Sequence, residues 1–167
     1  NAFAVAGRDL SGLEAGFSFD PERGLFVSQD FRTDFHDGKI LGNLELDTRG
    51  EKALAYRLEL MFDSVIAAEI LAHQVVGGQP ASPARGGRAS GVFALSGKLD
   101  RPESSTGRLN MEIGQLQIAR QTVAGRVLSA VELNESSDEI FDRITVNAWI
   151  RNRRMVFDEV YLSGPKS

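Results

Sequence analysis

His36 and His73 are the only histidines among the 167 residues, and cysteine is absent. Disulfide scaffolds, zinc ribbons and thiol nucleophiles are therefore excluded, and a metal centre built on either imidazole would need carboxylates brought into a shared pocket. Carboxylates are plentiful, 23 in all, but Glu45, Glu59 and Glu112 alternate with apolar neighbours, where solvation accounts for them, and Asp20 and Asp37 occupy turns. A glycosidase pair would have to be assembled from such residues by the fold, since separation along the chain does not report separation in space. Serines fall in connections, Ser104-Ser105 and Ser136-Ser137, without a Gly-x-Ser-x-Gly elbow. Asn134-Glu135-Ser136 fits the glycosylation pattern, a match that arises often by chance. The glycines of 77–87 (GGQPASPARGG) lead into no helix and end in no Gly-Lys-Ser/Thr, so they make no phosphate loop. Arg151, Arg153 and Arg154 surround one turn, as a solvated hairpin tip or as a contact for phosphate or lipid headgroups. The expectation is a protein that is not an enzyme and needs no cofactor or metal.

Stepping outward from side chains to elements, alternation with period two dominates. Phe93, Leu95 and Leu99 oppose Ser96, Lys98 and Asp100; Leu109, Met111 and Ile113 oppose Arg108, Asn110 and Glu112; Ile144, Val146 and Ile150 oppose Arg143, Thr145 and Arg151. Each run is a strand with one wet and one greasy face. The first half repeats the pattern: Leu44 and Leu46 against Glu45 and Asp47, then Leu58, Leu60 and Phe62 against Arg57, Glu59 and Asp63. Asp20-Pro21-Glu22-Arg23-Gly24 reads as one turn and Asp37-Gly38 as a two-residue type I′ turn. Helical composition over 65–72 and helical spacing over 121–133 predict two short helices, and 100–105 reads as a pause between strands.

The chain thus divides into a first half-domain (1–76), a flexible Gly/Pro linker (77–88) and a second half-domain (89–167) with a closing hairpin. It starts and stops close to strands, as a piece of a longer protein would. No apolar run reaches the ~20 residues that span a bilayer. A net charge of −4 and a pI near 5.2 argue against a nucleic-acid partner. Two short helices cannot cover this many one-sided strands, so the greasy face must meet another sheet, close on itself, or meet something that is not protein.

Several stretches resemble one family: Gly91-Val92-Phe93-Ala94-Leu95-Ser96-Gly97, Gly107-Arg108-Leu109 through Leu116-Gln117-Ile118, and Ile140-Phe141-Asp142-Arg143-Ile144. The closing hairpin, Arg151-Asn152-Arg153-Arg154-Met155 with Val160-Tyr161-Leu162-Ser163-Gly164, carries the same resemblance, as do Asp37 to Gly42 and Tyr56 to Leu60 in the first half. Together they are similar to the C-terminal region of AsmA-like proteins, envelope proteins of Gram-negative-type bacteria related to TamB and to the bridge-like lipid-transfer proteins. That resemblance implies a mainly β fold, a strongly curved antiparallel sheet forming a U-shaped groove with two short helices. It also implies passive phospholipid transport between inner and outer membranes from a periplasmic, cell-envelope location, with an anchor elsewhere in the protein. The partners implied are phospholipid acyl chains, neighbouring repeats of the same longer chain and membrane proteins. Candidate groove residues are Leu44, Leu46, Leu58, Leu60, Phe93, Leu95, Leu109, Met111, Ile113, Val146 and Ile150. The alternative is a structural or adhesive β-sandwich module that binds protein partners and no lipid.

Overall fold

A computed structural model of the chain describes residues 2–5, 8–49, 54–68, 75–76, 79–80, 85–119 and 138–164. Eleven strands follow one another: β1 (Ala2–Val5), β2 (Arg8–Asp20), β3 (Leu25–Phe35), β4 (Gly38–Asp47), β5 (Ala55–Ile66), β6 (Val75–Val76), β7 (Gln79–Pro80), β8 (Arg85–Lys98), β9 (Arg101–Ala119), β10 (Asp138–Arg151) and β11 (Arg154–Ser163). Nine of them form one sheet in the order β1-β2-β3-β4-β5-β8-β9-β10-β11, and β6 and β7 pair separately. Every ladder is antiparallel, and the sheet ends at β1 and β11 without closing into a barrel.

The turns show why the chain reverses where it does. Asp20 Oδ1 accepts from the backbone N–H groups of Glu22 and Arg23, both at 3.0 Å, which closes the turn before β3. The β3–β4 turn is type I′-like but sits one residue earlier than the sequence predicts: His36 and Asp37 carry the positive φ angles, 45° and 58°, while Gly38 opens β4 opposite Phe35. Glycine at 38 serves a close approach instead, since a Cβ there would lie 2.6 Å from Val65 Cα. Asn152 and Arg153, with φ of 51° and 61°, make the same two-residue turn between β10 and β11.

Three expectations change. Residues 101–105, read as a pause, belong to β9, because Ser104 Oγ receives the Lys98 N–H at 2.9 Å and donates to the Arg101 carbonyl at 2.7 Å, letting the ladder close around it. Val65 and Ile66, expected to start a helix, extend β5 opposite Ala89 and Arg88, as β-branched residues favour. Only Ala67 and Ala68 are helical among the described residues; the remainder of that predicted helix, at 69–72, and the second predicted helix lie outside them. Within the stretch read as a linker, Gln79–Pro80 and 85–88 are strand residues, and the rest lies outside the described residues. Because β5 pairs with β8, the two halves share one continuous sheet.

The core is not central. Val65, Ala67, Ala68, Ala89, Ile113, Leu116, Phe141, Ile144 and Val146 are buried, all but Val65 in one cluster, at the end of the sheet where β5 runs out. Ser64 takes positive φ on β5 beside Ser90, and Gly87 and Gln115 take positive φ further along β8 and β9, between the Gly86–Leu116 and Arg88–Gly114 pairs. Each interrupts the pleat of its own strand near the cluster. Leu116 and Phe141, paired across β9 and β10, belong to the cluster.

Candidate functional site

All eleven candidate residues lie on one face, and the register arranges them in rows that run across the strands. Leu44, Leu58, Leu95, Gly107 and Ile150 are successive partners. So are Gly42, Leu60, Phe93, Leu109 and Ala148, and likewise Ile40, Phe62, Gly91, Met111 and Val146. Ile113 stands in a further row with Val65, Ala89 and Ile144. Leu46 pairs with Tyr56 at the opposite end. The face also carries Tyr56, Phe62, Phe157 and Leu162, which match the alternation equally well.

Burial grades along this face. Ile113 and Val146 are buried in the cluster, whereas Leu44, Leu46, Leu58, Leu60, Phe93, Leu95, Leu109, Met111 and Ile150 are half-buried. Among the described residues the main sheet's ladders and close contacts join neighbouring strands, and no second layer of strands lies on the face. Side chains here shelter one another. Tyr56 lies across β8 to hydrogen-bond Ser105 on β9, hydroxyl to hydroxyl at 2.9 Å, passing over Gly97, where a Cβ would stand 3.2 Å from the tyrosine oxygen. Phe62 likewise covers Gly91, whose absent Cβ would lie 2.8 Å from the ring. Gly91 and Gly97 thus form the floor under flattened aromatic rings.

The opposite face is mixed: Leu41, Met61 and Val92 form an exposed apolar row, and the polar residues around it are tied across strands. Asn110 Nδ2 donates to Asn147 Oδ1 at 2.6 Å, Asn147 Nδ2 donates to Glu159 at 2.9 Å, and Arg143 pairs with Glu112 at 3.1 Å. Three depressions bordered by described residues lie on this face, including a trough of about 770 Å³ across β5, β8, β9 and β10. Sequence reasoning missed it. Its lining residues Arg57, Ser96, Thr106 and Arg151 become one row only when four strands are in register.

The chemistry-bearing residues stay apart. His36 Nε2 is buried without a hydrogen-bond partner among the described residues, its ring edge-on to Phe35 at 4.2 Å, and His73 lies outside the described residues. No group of three His, Asp or Glu side chains among the described residues is placed to hold a metal ion. Among the described residues the one carboxyl with a resolved shift is Asp47, half-buried at a strand end, whose hydrogen bond from the Arg49 guanidinium holds it down from 3.8 to about 2. No helix among the described residues is long and apolar enough to cross a membrane, which leaves strands and undescribed segments unaddressed. Compared with known proteins, the chain matches no family model, no curated protein and no solved structure.

Proposed function

We propose that this chain is a non-enzymatic lipid-handling segment of an AsmA-like envelope protein, holding phospholipid acyl chains against the apolar face of a curved, U-shaped sheet. One observation carries the reading: nine of the eleven candidate residues stand half-buried on a sheet with no second strand layer over them among the described residues. Apolar area released from water is worth roughly 25 cal/mol per Å² whether the cover is a side chain or an acyl chain. Hydrocarbon can therefore complete over the half-buried rows what Leu116 and Phe141 complete in the buried cluster. In this reading the protein works in the periplasm, passes lipid passively between membranes, and meets neighbouring repeats of a longer chain and membrane proteins.

The test is native mass spectrometry of protein extracted without detergent. Phospholipid is expected to co-purify, and Leu95→Glu, which sets a charge amid the Leu44–Leu58–Ile150 row, is expected to release it while the far-UV circular dichroism is retained. A stable monomer of clean apo mass would sink the proposal.

A second reading, a module that binds protein partners, draws support from β11. This edge strand is apolar on both sides and exposed, with Val156, Phe157 and Tyr161 between 56% and 59% accessible. Its unpaired edge can accept another strand.

A further inference from the structure

We infer that the trough across β5, β8, β9 and β10 is a binding site for a phosphoryl group. Its shape follows from side-chain size: Ala94, Ser96 and Thr106 are small, while Arg57 stands on one flank and Arg108, Trp149 and Arg151 on the other. Two rows build it. Arg57, Ser96, Thr106 and Arg151 are successive partners across β5, β8, β9 and β10, and Arg154 extends that row onto β11. Glu59, Ala94, Arg108 and Trp149 form the second row.

The charge balance points to an anion. Three guanidiniums and one carboxylate line the trough, and Arg154 and Glu45 extend the Arg57–Arg151 row at its two ends, in a chain whose net charge is −4. Arg57 is paired with Glu59 at 3.4 Å, but Arg108 and Arg151 make no ion pair or hydrogen bond with any described residue. At three strand ends elsewhere the arginine is matched by a near neighbour, Arg23 with Asp20, Arg49 with Asp47 and Arg101 with Asp100, whereas Arg85 at the start of β8 makes no ion pair or hydrogen bond with any described residue. Like charges gathered on neighbouring strands repel unless an anion joins them. Guanidinium forks recognise tetrahedral oxyanions by paired donors, and the Ser96 and Thr106 hydroxyls, 3.4 Å apart on the floor, supply further donors between the flanks. A volume of about 770 Å³ leaves space beyond the phosphoryl group for the rest of a ligand beside the exposed indole of Trp149. Free phosphate and a lipid headgroup present the same chemistry, and the site takes either by its phosphoryl oxygens.

Trp149 is the only tryptophan, so its fluorescence reports on the trough alone. The protein is titrated separately with inorganic phosphate, with phosphatidylglycerol vesicles and, at matched ionic strength, with chloride. A saturable change in emission is expected with phosphate or with the vesicles, and the apparent affinity should weaken by roughly tenfold or more in Arg108→Gln/Arg151→Gln. The Lys/Lys pair at the same positions keeps charge but not the fork, and should fall between. Response to phosphate means the phosphoryl group suffices; response to vesicles alone means it must be lipid-borne. No saturable response, an equal response to chloride, or a response undiminished in the Gln pair overturns the assignment. Acyl-chain binding on the opposite face is read by the mass of co-purified lipid and the phosphoryl site by Trp149 emission in the Arg108/Arg151 variants, so either result stands without the other.

Discussion

Asp47 and Arg49 illustrate how local most of the electrostatics is. The guanidinium reaches back two residues to the carboxylate, at 2.7 Å through Nη2 and 3.0 Å through Nε, and lowers the carboxyl to about 2. A depressed folded-state value means that whatever stability the pair contributes is present above the ordinary carboxyl range and fades as pH falls from 3.8 toward 2. Solvent reaches both side chains and keeps the contribution small. Arg49→Gln is expected to return Asp47 to the ordinary range in an NMR titration; an unchanged midpoint would remove the guanidinium as the cause. At this scale the sequence was legible wherever a residue acts on near neighbours. Asp20 could be read as a turn residue, and side-chain alternation could be read strand by strand. Gly38 was misread because its role depends on Val65, far along the chain, and not on its own φ.

Elements were legible in kind and less so in extent. Strand identity follows from period two, which needs no knowledge of partners, and this is why every candidate groove residue falls on one face. Boundaries depend on partners. Residues 101–105 join β9 because Ser104 satisfies Lys98, and Val65 stays extended because Ala89 pairs with it. The trough was invisible for the same reason, since Arg57 and Arg151 are linked only through the register of β8 and β9. Among the described residues β11 is a weakly protected edge, whose exposed side chains include Met155, Phe157 and Val160 on the apolar side and Val156 and Tyr161 on the other. It carries no proline, and its register slips opposite Asn147 and Ala148, where Asp158 is left out of the pairing. A single irregularity and a few charges are modest protection for a ten-residue edge. Concentration-dependent association in sedimentation velocity is expected, and Phe157→Lys should reduce it; a strictly monomeric wild type would show that this edge is already closed.

The molecule as a whole is stabilised unevenly. Leu116 is 1% exposed within the buried cluster, so Leu116→Ala should cost about 2–5 kcal/mol, a transfer loss plus a cavity. Leu58 is half-buried on the candidate face, and Leu58→Ala should cost roughly 1 kcal/mol, since no enclosed cavity forms. Urea denaturation of the two variants measures the contrast, and equal losses would mean that Leu58 is as tightly covered as the cluster.

Except for β5 with β8, each ladder of the main sheet links strands adjacent in sequence. Such an arrangement behaves like a ruler. One more rung widens it by about 4.8 Å without disturbing those already laid down. Its span is therefore a matter of how many hairpins are written into the gene, and evolution can adjust the distance it covers by duplication or deletion alone.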